Sequence, residues 1–208
     1  SLERCFWNMT EQQYHTNGAN AESSEIDWEK AQRATRMLLE ALGENPDREA
    51  LEDTWRRRVP ASLETLTEGE RETTKPDMRT FQAETNDLVV KTGIPIYSLC
   101  EHHLLPYHGT AHIAYRPEGD ILGLSKLSRY VRWQSRRLTV QEGLTRDIAE
   151  DLAQEVEAGA VRVEITVTHL CEAMRGIETA TRTTTQSTVG ELTDDEQRRF
   201  RSAIDSHE

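Results

Sequence analysis

Lysine is nearly absent from this chain: Lys30, Lys75, Lys91 and Lys126 are its four lysines, and the remaining basic charge is arginine. Acidic residues outnumber basic ones 37 to 25, for a formal net charge of −12. That balance excludes a general nucleic-acid binder, because duplex affinity depends on basic surface that releases counterions. An acidic surface poor in lysine suits concentrated salt, and a GC-rich genome produces the same bias. Apolar residues are also scarce, at 36% against 30% charged, so either part of the chain lies outside a core or its surface is heavily solvated. No apolar run approaches the roughly 20 residues that cross a bilayer. The opening SLERCFWNMT lacks the charged start and apolar core of a signal peptide. The expectation is a soluble, cytoplasmic protein. Cysteine is sparse and odd in number (Cys5, Cys100, Cys171), which excludes a disulfide framework. A cysteine beside histidines in such a protein points to metal or catalysis.

What is present divides into three parts. Residues 1–25 are polar without apolar period and read as a flexible tail; 26–80 read as a helical region and 81–208 as the catalytic domain. Asp27 caps a helix carrying Ala34, Met37, Leu38 and Ala41, which Gly43 ends. A second helix follows, with Pro60 a break or kink in it. Residues 67–79 are a polar turn region. Leu88–Val90 and Ile94–Leu99 read as strand, and Thr110–Tyr115 alternates with strand period. Ser125 stands where an N-cap would open KLSRYVRWQSRR. Leu144, Ile148, Leu152 and Val156 line one face of a helix from about Val140 to Glu157, which Gly159 closes. Val161–Val167 alternates into His169 and Cys171, the threonine-rich stretch 179–189 suits a strand, and 193–204 suits a capped helix. The order of elements is that of an α+β domain.

Two stretches carry chemistry. In Cys100-Glu101-His102-His103 a thiolate and an imidazole with two residues between them can face one ion across a tight turn, and His169-Leu170-Cys171 offers a second thiolate and imidazole. Three protein ligands and a water make a catalytic zinc site; four make a closed structural one. Spacing alone supports equally well two buried thiols and some surface histidines.

The motifs CEHHLLPYHG, GLSKLSR, RRLTVQEGLT and THLCEAMRG, in this order, resemble the signature series of GTP cyclohydrolase I, and LGENPDREALEDT is similar to an upstream block of that family. The resemblance covers about residues 35–190. It implies a tunnelling fold (T-fold), an antiparallel sheet with helices on one face, assembled as a homodecamer with active sites between subunits. It implies Zn²⁺ held by Cys100, His103 and Cys171, lowering the pKa of a water that attacks C8 of GTP, with formate and 7,8-dihydroneopterin triphosphate as products. His102 and His169 match the family's non-ligand histidines and suit proton transfer; an orienting hydrogen bond is the plainer role. Lys126, Arg129 and Arg175 match phosphate-binding positions, with Ser125 beside them, and Glu142 in the Gln141-Glu142 pair matches the guanine reader. One of Arg56, Arg57 and Arg58 is a candidate for a neighbouring subunit's phosphate site. His15, His108, His112, His207 and Cys5 are set aside as structural, exposed or in tails.

The chain departs from the family pattern at Ala50, at Trp55 with an apparent extra arginine after it, at Gly143 and at Gln186. None of these removes a proposed ligand or acid–base residue. Two rival functions are a same-fold enzyme acting on a related purine or pterin, and a non-catalytic zinc- or nucleotide-binding assembly protein. The complete Lys126, Arg129 and Arg175 set disfavours the first, and the paired His102 and His169 the second.

Overall fold

The computed structural model describes residues 25–207; residues 1–24 of the expected tail, with Cys5 and His15, lie outside them. Helix α1 (Trp28–Ala41) starts where the Asp27 carboxylate accepts from Lys30 N at 2.8 Å, and Gly43 follows its end with φ +82°. Its Met37 and Leu38 face outward in the single chain. The expected second helix is α2 (Glu49–Asp53), a π turn over Thr54–Arg58, and α3 (Val59–Leu66), in unbroken succession. Pro60 therefore sits inside a helix that it does not end. It has no N–H for the carbonyl one turn back, and Gln32 Nε2 of α1 donates to that carbonyl, Arg56 O, at 2.7 Å instead. A π turn accommodates one residue more than a regular turn, so a segment with one added residue can continue the helix unbroken here. Trp55 fits the same region: the guanidinium groups of Arg36 and Arg56 each stand 4.9 Å from its ring centre, and its Nε1 donates to Pro46 O at 3.1 Å.

The strands are β1 (Thr80–Gln82), β2 (Val89–Cys100), β3 (Pro106–Arg116), β4 (Asp120–Leu122), β5 (Leu138–Thr139), β6 (Ala160–His169) and β7 (Thr183–Gly190). β1 and β4 pair apart; the other five form one sheet in the order β5-β2-β3-β6-β7, antiparallel except where β5 runs beside the end of β2. The two expected apolar runs before Cys100 are one strand, with a bulge between Lys91 and Ile94 where Gly93 takes φ +68°. A Cβ at Gly93 would stand 2.1 Å from His207 Nε2. His207 is thus packed against the bulge, edge-on to the buried His112 at 5.9 Å.

Alternation along β3 and β6 sorts the side chains onto two faces. Ile113, Tyr115, Val163 and Ile165 share a core with Leu144, Ile148 and Leu152 of α5 (Gln141–Glu155) and Leu127 and Val131 of α4 (Leu124–Ser135). These two helices form the layer that the family resemblance implies. α4 begins at Gly123, so Ser125 is its second residue and not its cap; the first-turn N–H groups there have no side-chain acceptor from the cap. The single-turn helix α6 (Leu170–Ala173) follows β6. α7 (Asp194–Asp205), with a capping box at Thr193 and Glu196, covers one end of the opposite face, where Phe200 and Ile204 pack against Ala114 and Ala160. On that face Glu164 is buried and held by both terminal nitrogens of Arg201, at 3.1 and 3.3 Å, and by Gln186 Nε2 at 2.6 Å. Gln186 so has a defined partner for its departure from the family's serine. Gly143 has room for a Cβ, and nothing in the packing explains it.

At Gly109 there is no room for a side chain between β3 and β6: a Cβ there would stand 2.0 Å from Thr166 O. Because the obstacle is backbone, the two central strands must part to admit it. Gly109→Ala is expected to lower stability by about 2–4 kcal/mol, read as a fall in the thermal midpoint.

Candidate metal centre

The β2–β3 hairpin builds the first half of the site. Cys100 ends β2, buried, and its N–H donates to Leu105 O at 2.9 Å, while its carbonyl accepts from His103 N at 3.2 Å and Leu104 N at 2.8 Å. Leu104 takes the left-handed φ of 53° that so tight a reversal requires. β5 supports the turn from the side, Thr139 O accepting from Glu101 N at 3.3 Å. The turn brings His103 Nδ1 to 3.6 Å from Cys100 Sγ. The second half comes from β6. Its last residue, His169, is the register partner of Tyr107 at the start of β3, so β6 ends beside the hairpin. α6 then turns Cys171 back toward Cys100 and His103.

The two sulfurs and the His103 nitrogen all lie within 4.8 Å of one another, and this is the one such group among the described residues. A tetrahedral zinc with Zn–S near 2.3 Å and Zn–N near 2.0–2.1 Å needs donor separations of roughly 3.5–3.8 Å. The Cys100–His103 separation already meets that, and a small contraction suffices for Cys171. Soft thiolates with one imidazole suit zinc, and a set of three leaves the fourth position for water or substrate. Burial pushes the Cys171 thiol up, the nearby Cys100 adds to it, and Arg175 partly offsets both.

His169 has its protonation pattern set by a neighbour. Gln141, the first residue of α5, is buried; its Nε2 donates to Ile165 O at 3.0 Å and to Thr183 O at 2.9 Å, which uses both amide hydrogens. Its Oε1 is therefore the atom 3.0 Å from His169 Nε2, and it can only accept. The proton sits on Nε2, leaving Nδ1 as the basic atom. Burial lowers the His169 pKa below the ordinary histidine value, against the opposing pull of Glu142 and Glu172. The imidazole is consequently neutral near pH 7. Its ring stacks on Tyr107 at 4.7 Å between centres. His102 differs: it is exposed, 3.7 Å from Glu101 Oε1 and edge-on to His103 at 6.2 Å.

Glu142 stands exposed in the first turn of α5, close enough to His169 and Tyr107 to affect their ionisation. Arg175, also exposed, lies two residues past α6 at the same end of the sheet. The other expected phosphate residues do not join them. Ser125 and Lys126 open α4 next to Lys91, whose Nζ donates to Leu124 O. Lys91 is near the start of β2 and Cys100 at its end, nine residues along, so roughly 30 Å of strand lies between Cys100 and the lysine that anchors the start of α4. Arg129 is one turn further along α4. Lys126 is paired instead with Asp77 at 3.1 Å. Arg56, Arg57 and Arg58 lie exposed on the π turn, paired with Glu52 and Asp53. Sequence reasoning did not single out Tyr107 or Asp77. Tyr107 needed the β3–β6 register, and Asp77 lies in a polar turn whose course no periodicity reveals.

The model of the GTP cyclohydrolase I family matches residues 31–205. GTP cyclohydrolase 1 of Hyperthermus butylicus is 45% identical over 171 residues, 82% of this chain and 86% of that protein. The proteins of the same name from Corynebacterium aurimucosum and Chromohalobacter salexigens are each 46% identical, over 79% and 69% of this chain and 85% and 78% of theirs. The crystal structure of the archaeosine synthase QueF-Like in the apo form covers 53% of this chain and 100% of its own, at 19% identity and a TM-score of 0.41. No helix of the described residues is long and apolar enough to cross a membrane.

Because Cys171 holds its proton more firmly than a free thiol does, metal must displace it. Zinc binding near pH 7 is expected to release protons and to strengthen as pH rises toward the raised thiol pKa. Calorimetry in buffers of different ionisation enthalpy reads both. Cys171→Ala is expected to weaken zinc by about a hundredfold or more.

Proposed function

Since the chain belongs to the GTP cyclohydrolase I family, we propose that it opens the imidazole ring of GTP with water, at a zinc centre held by Cys100, His103 and Cys171. The products are formate and 7,8-dihydroneopterin triphosphate. The convergence of two thiols and an imidazole from stretches nearly seventy residues apart carries this reading. Zinc, when bound, supplies Lewis acidity and a water that ionises near neutrality.

The remaining work falls to side chains. Neutral His169, with Nδ1 basic and Nε2 tied to Gln141, accepts a proton at Nδ1 and returns it as the ring opens. Gln141 serves the site through His169, since its amide hydrogens are engaged by the backbone. The exposed His102 exchanges protons with solvent at the mouth. Glu142 accepts from the N–H and amino edge of guanine, two parallel hydrogen bonds that select this base. Arg175 meets the triphosphate from the metal's side.

Ser125, Lys126 and Arg129 belong to the same reaction, but Lys126 sits far down the strand from the metal ligands of its own chain. They therefore complete the site of an adjoining subunit, where the start of α4, with glycine and no side chain at its cap, turns the positive end of the helix toward phosphate. One arginine of the π turn contributes likewise. A composite site requires an oligomer, and the homodecamer of the resemblance is the assembly we propose, in the cytoplasm. Among the rivals, a non-catalytic assembly protein has no use for an imidazole tied into a single tautomer.

Purified protein with GTP is expected to release formate and accumulate a fluorescent pterin, and Cys171→Ala to do neither. Co-expression of Cys171→Ala with Lys126→Ala is expected to restore activity to roughly a quarter of wild type, the fraction of sites drawing both intact halves from different chains. Restored activity is read against each variant alone. If the mixture stays as inactive as its parts, the composite site is wrong; if Cys171→Ala matches wild type, the metal assignment is wrong.

A further inference from the structure

Tyr107 is the largest side chain at the floor of the site and is fully buried. It stands in register between Ser98 of β2 and His169 of β6, on the helix-facing side of the sheet. Its hydroxyl makes no hydrogen bond. Ser98 lies close enough to ease its ionisation, but Ser98 Oγ donates instead to Arg137 O at 3.2 Å. Burial raises the phenol pKa far above neutrality, with Cys100, Glu142 and Glu101 adding to the effect, so Tyr107 stays uncharged. An uncharged phenol with an idle hydroxyl acts in this site through its ring.

That ring meets His169 face to face, at 4.7 Å between centres with 28° between planes. Stacked aromatic pairs attract at centroid separations of roughly 4.5–7 Å. The hydrogen bond from His169 Nε2 to Gln141 fixes one point of the imidazole and leaves its plane free to swing about that point. A packed ring against the face removes the remaining freedom. Gln141 is itself immobilised by two backbone carbonyls, and Tyr107 by burial, so neither side of the clamp can follow a moving imidazole.

We propose that Tyr107 is a positioning residue for the cyclohydrolase reaction: its ring and the Gln141 amide together hold the His169 imidazole in one plane, so that Nδ1 keeps a fixed aim. The inference rests on the assignment of His169 as the proton carrier. It gives this chain a third member, from β3, in a unit otherwise made by α5 and β6. The ring is the working part, and phenylalanine can supply it; an aliphatic side chain of similar bulk cannot.

The test compares Tyr107→Leu with Tyr107→Phe in zinc-loaded protein, with zinc content and thermal midpoint measured for each. Tyr107→Leu is expected to lower kcat by about tenfold or more, as a misaimed group does, with KM for GTP within about threefold. Tyr107→Phe is expected to recover most of that loss. In a His169→Ala background, Tyr107→Leu is expected to cost less than about twofold further, because a residue that acts through His169 has nothing left to aim. Should Tyr107→Leu fail to assemble, Tyr107→Met fills the space without a ring face and takes its place. Equal losses from Tyr107→Leu in both backgrounds, or equal kcat for the Leu and Phe variants, would overturn the clamp. A second readout needs no turnover. With ¹³C-labelled histidine, the His169 ring resonances are expected to move in Tyr107→Leu and to hold nearly still in Tyr107→Phe; unmoved resonances in the Leu variant contradict the inference even if GTP proves not to be the substrate.

Discussion

The antiparallel register of β2, β3 and β6 is the constraint on which the rest depends. Pairing Leu99 with Pro106, and Tyr107 with His169, puts the end of one strand and the end of another on the same edge of the sheet. Cys100, His103 and Cys171 then meet at that end of the sheet. A slip of one residue between β3 and β6 would turn His169 to the opposite face and carry Tyr107 out from under it. Gly109 protects that register by letting the two backbones approach where no side chain would fit.

From the register follows the chemistry. The helix-facing side of the sheet is apolar through its middle, from Ile113 and Val163 to Ile165, and becomes polar at the edge where α5 begins. Gln141 stands at that boundary. It is buried, yet all of its amide is used, so it joins β6 and β7 at the same time as it sets the His169 tautomer. The fold and the proton chemistry proposed for His169 share these hydrogen bonds. Lys126, which we propose binds phosphate, lies near the other end of β2, and the distance along that strand is the ground for proposing that a neighbouring copy completes the active site.

Much of this was legible in the sequence. The α5 face of Leu144, Ile148, Leu152 and Val156 is buried as its spacing required, and Asp27 and the Thr193 region cap helices as their residue types required. These are local properties, set within one or two turns. The metal group was legible through the motif series, since spacing alone left the bland reading open. What escaped was set by partners distant in sequence. His207, far along the chain, packs against the bulge at Gly93; Arg56 O finds its donor in Gln32; Ser125 yields the start of α4 to Gly123. Pro60 follows a π turn and does not break the helix, because a helix can pass a proline when another helix satisfies the carbonyl that it strands. Lys126 and Arg129 group with Arg175 through the motif series. Their separation along β2 from the Cys100 end of the sheet, which one sequence does not reveal, is what leads us to propose that the set is divided between two molecules.

The central claim is that two sulfurs and one nitrogen of this chain grip a single ion and leave a position open. X-ray absorption at the zinc edge of the loaded protein tests it most directly. The account predicts two sulfurs near 2.3 Å and two lighter donors near 2.0–2.1 Å, one of the lighter pair exchangeable and the second sulfur lost in Cys171→Ala. A single sulfur in the wild type, or four donors of which none exchanges, would contradict it.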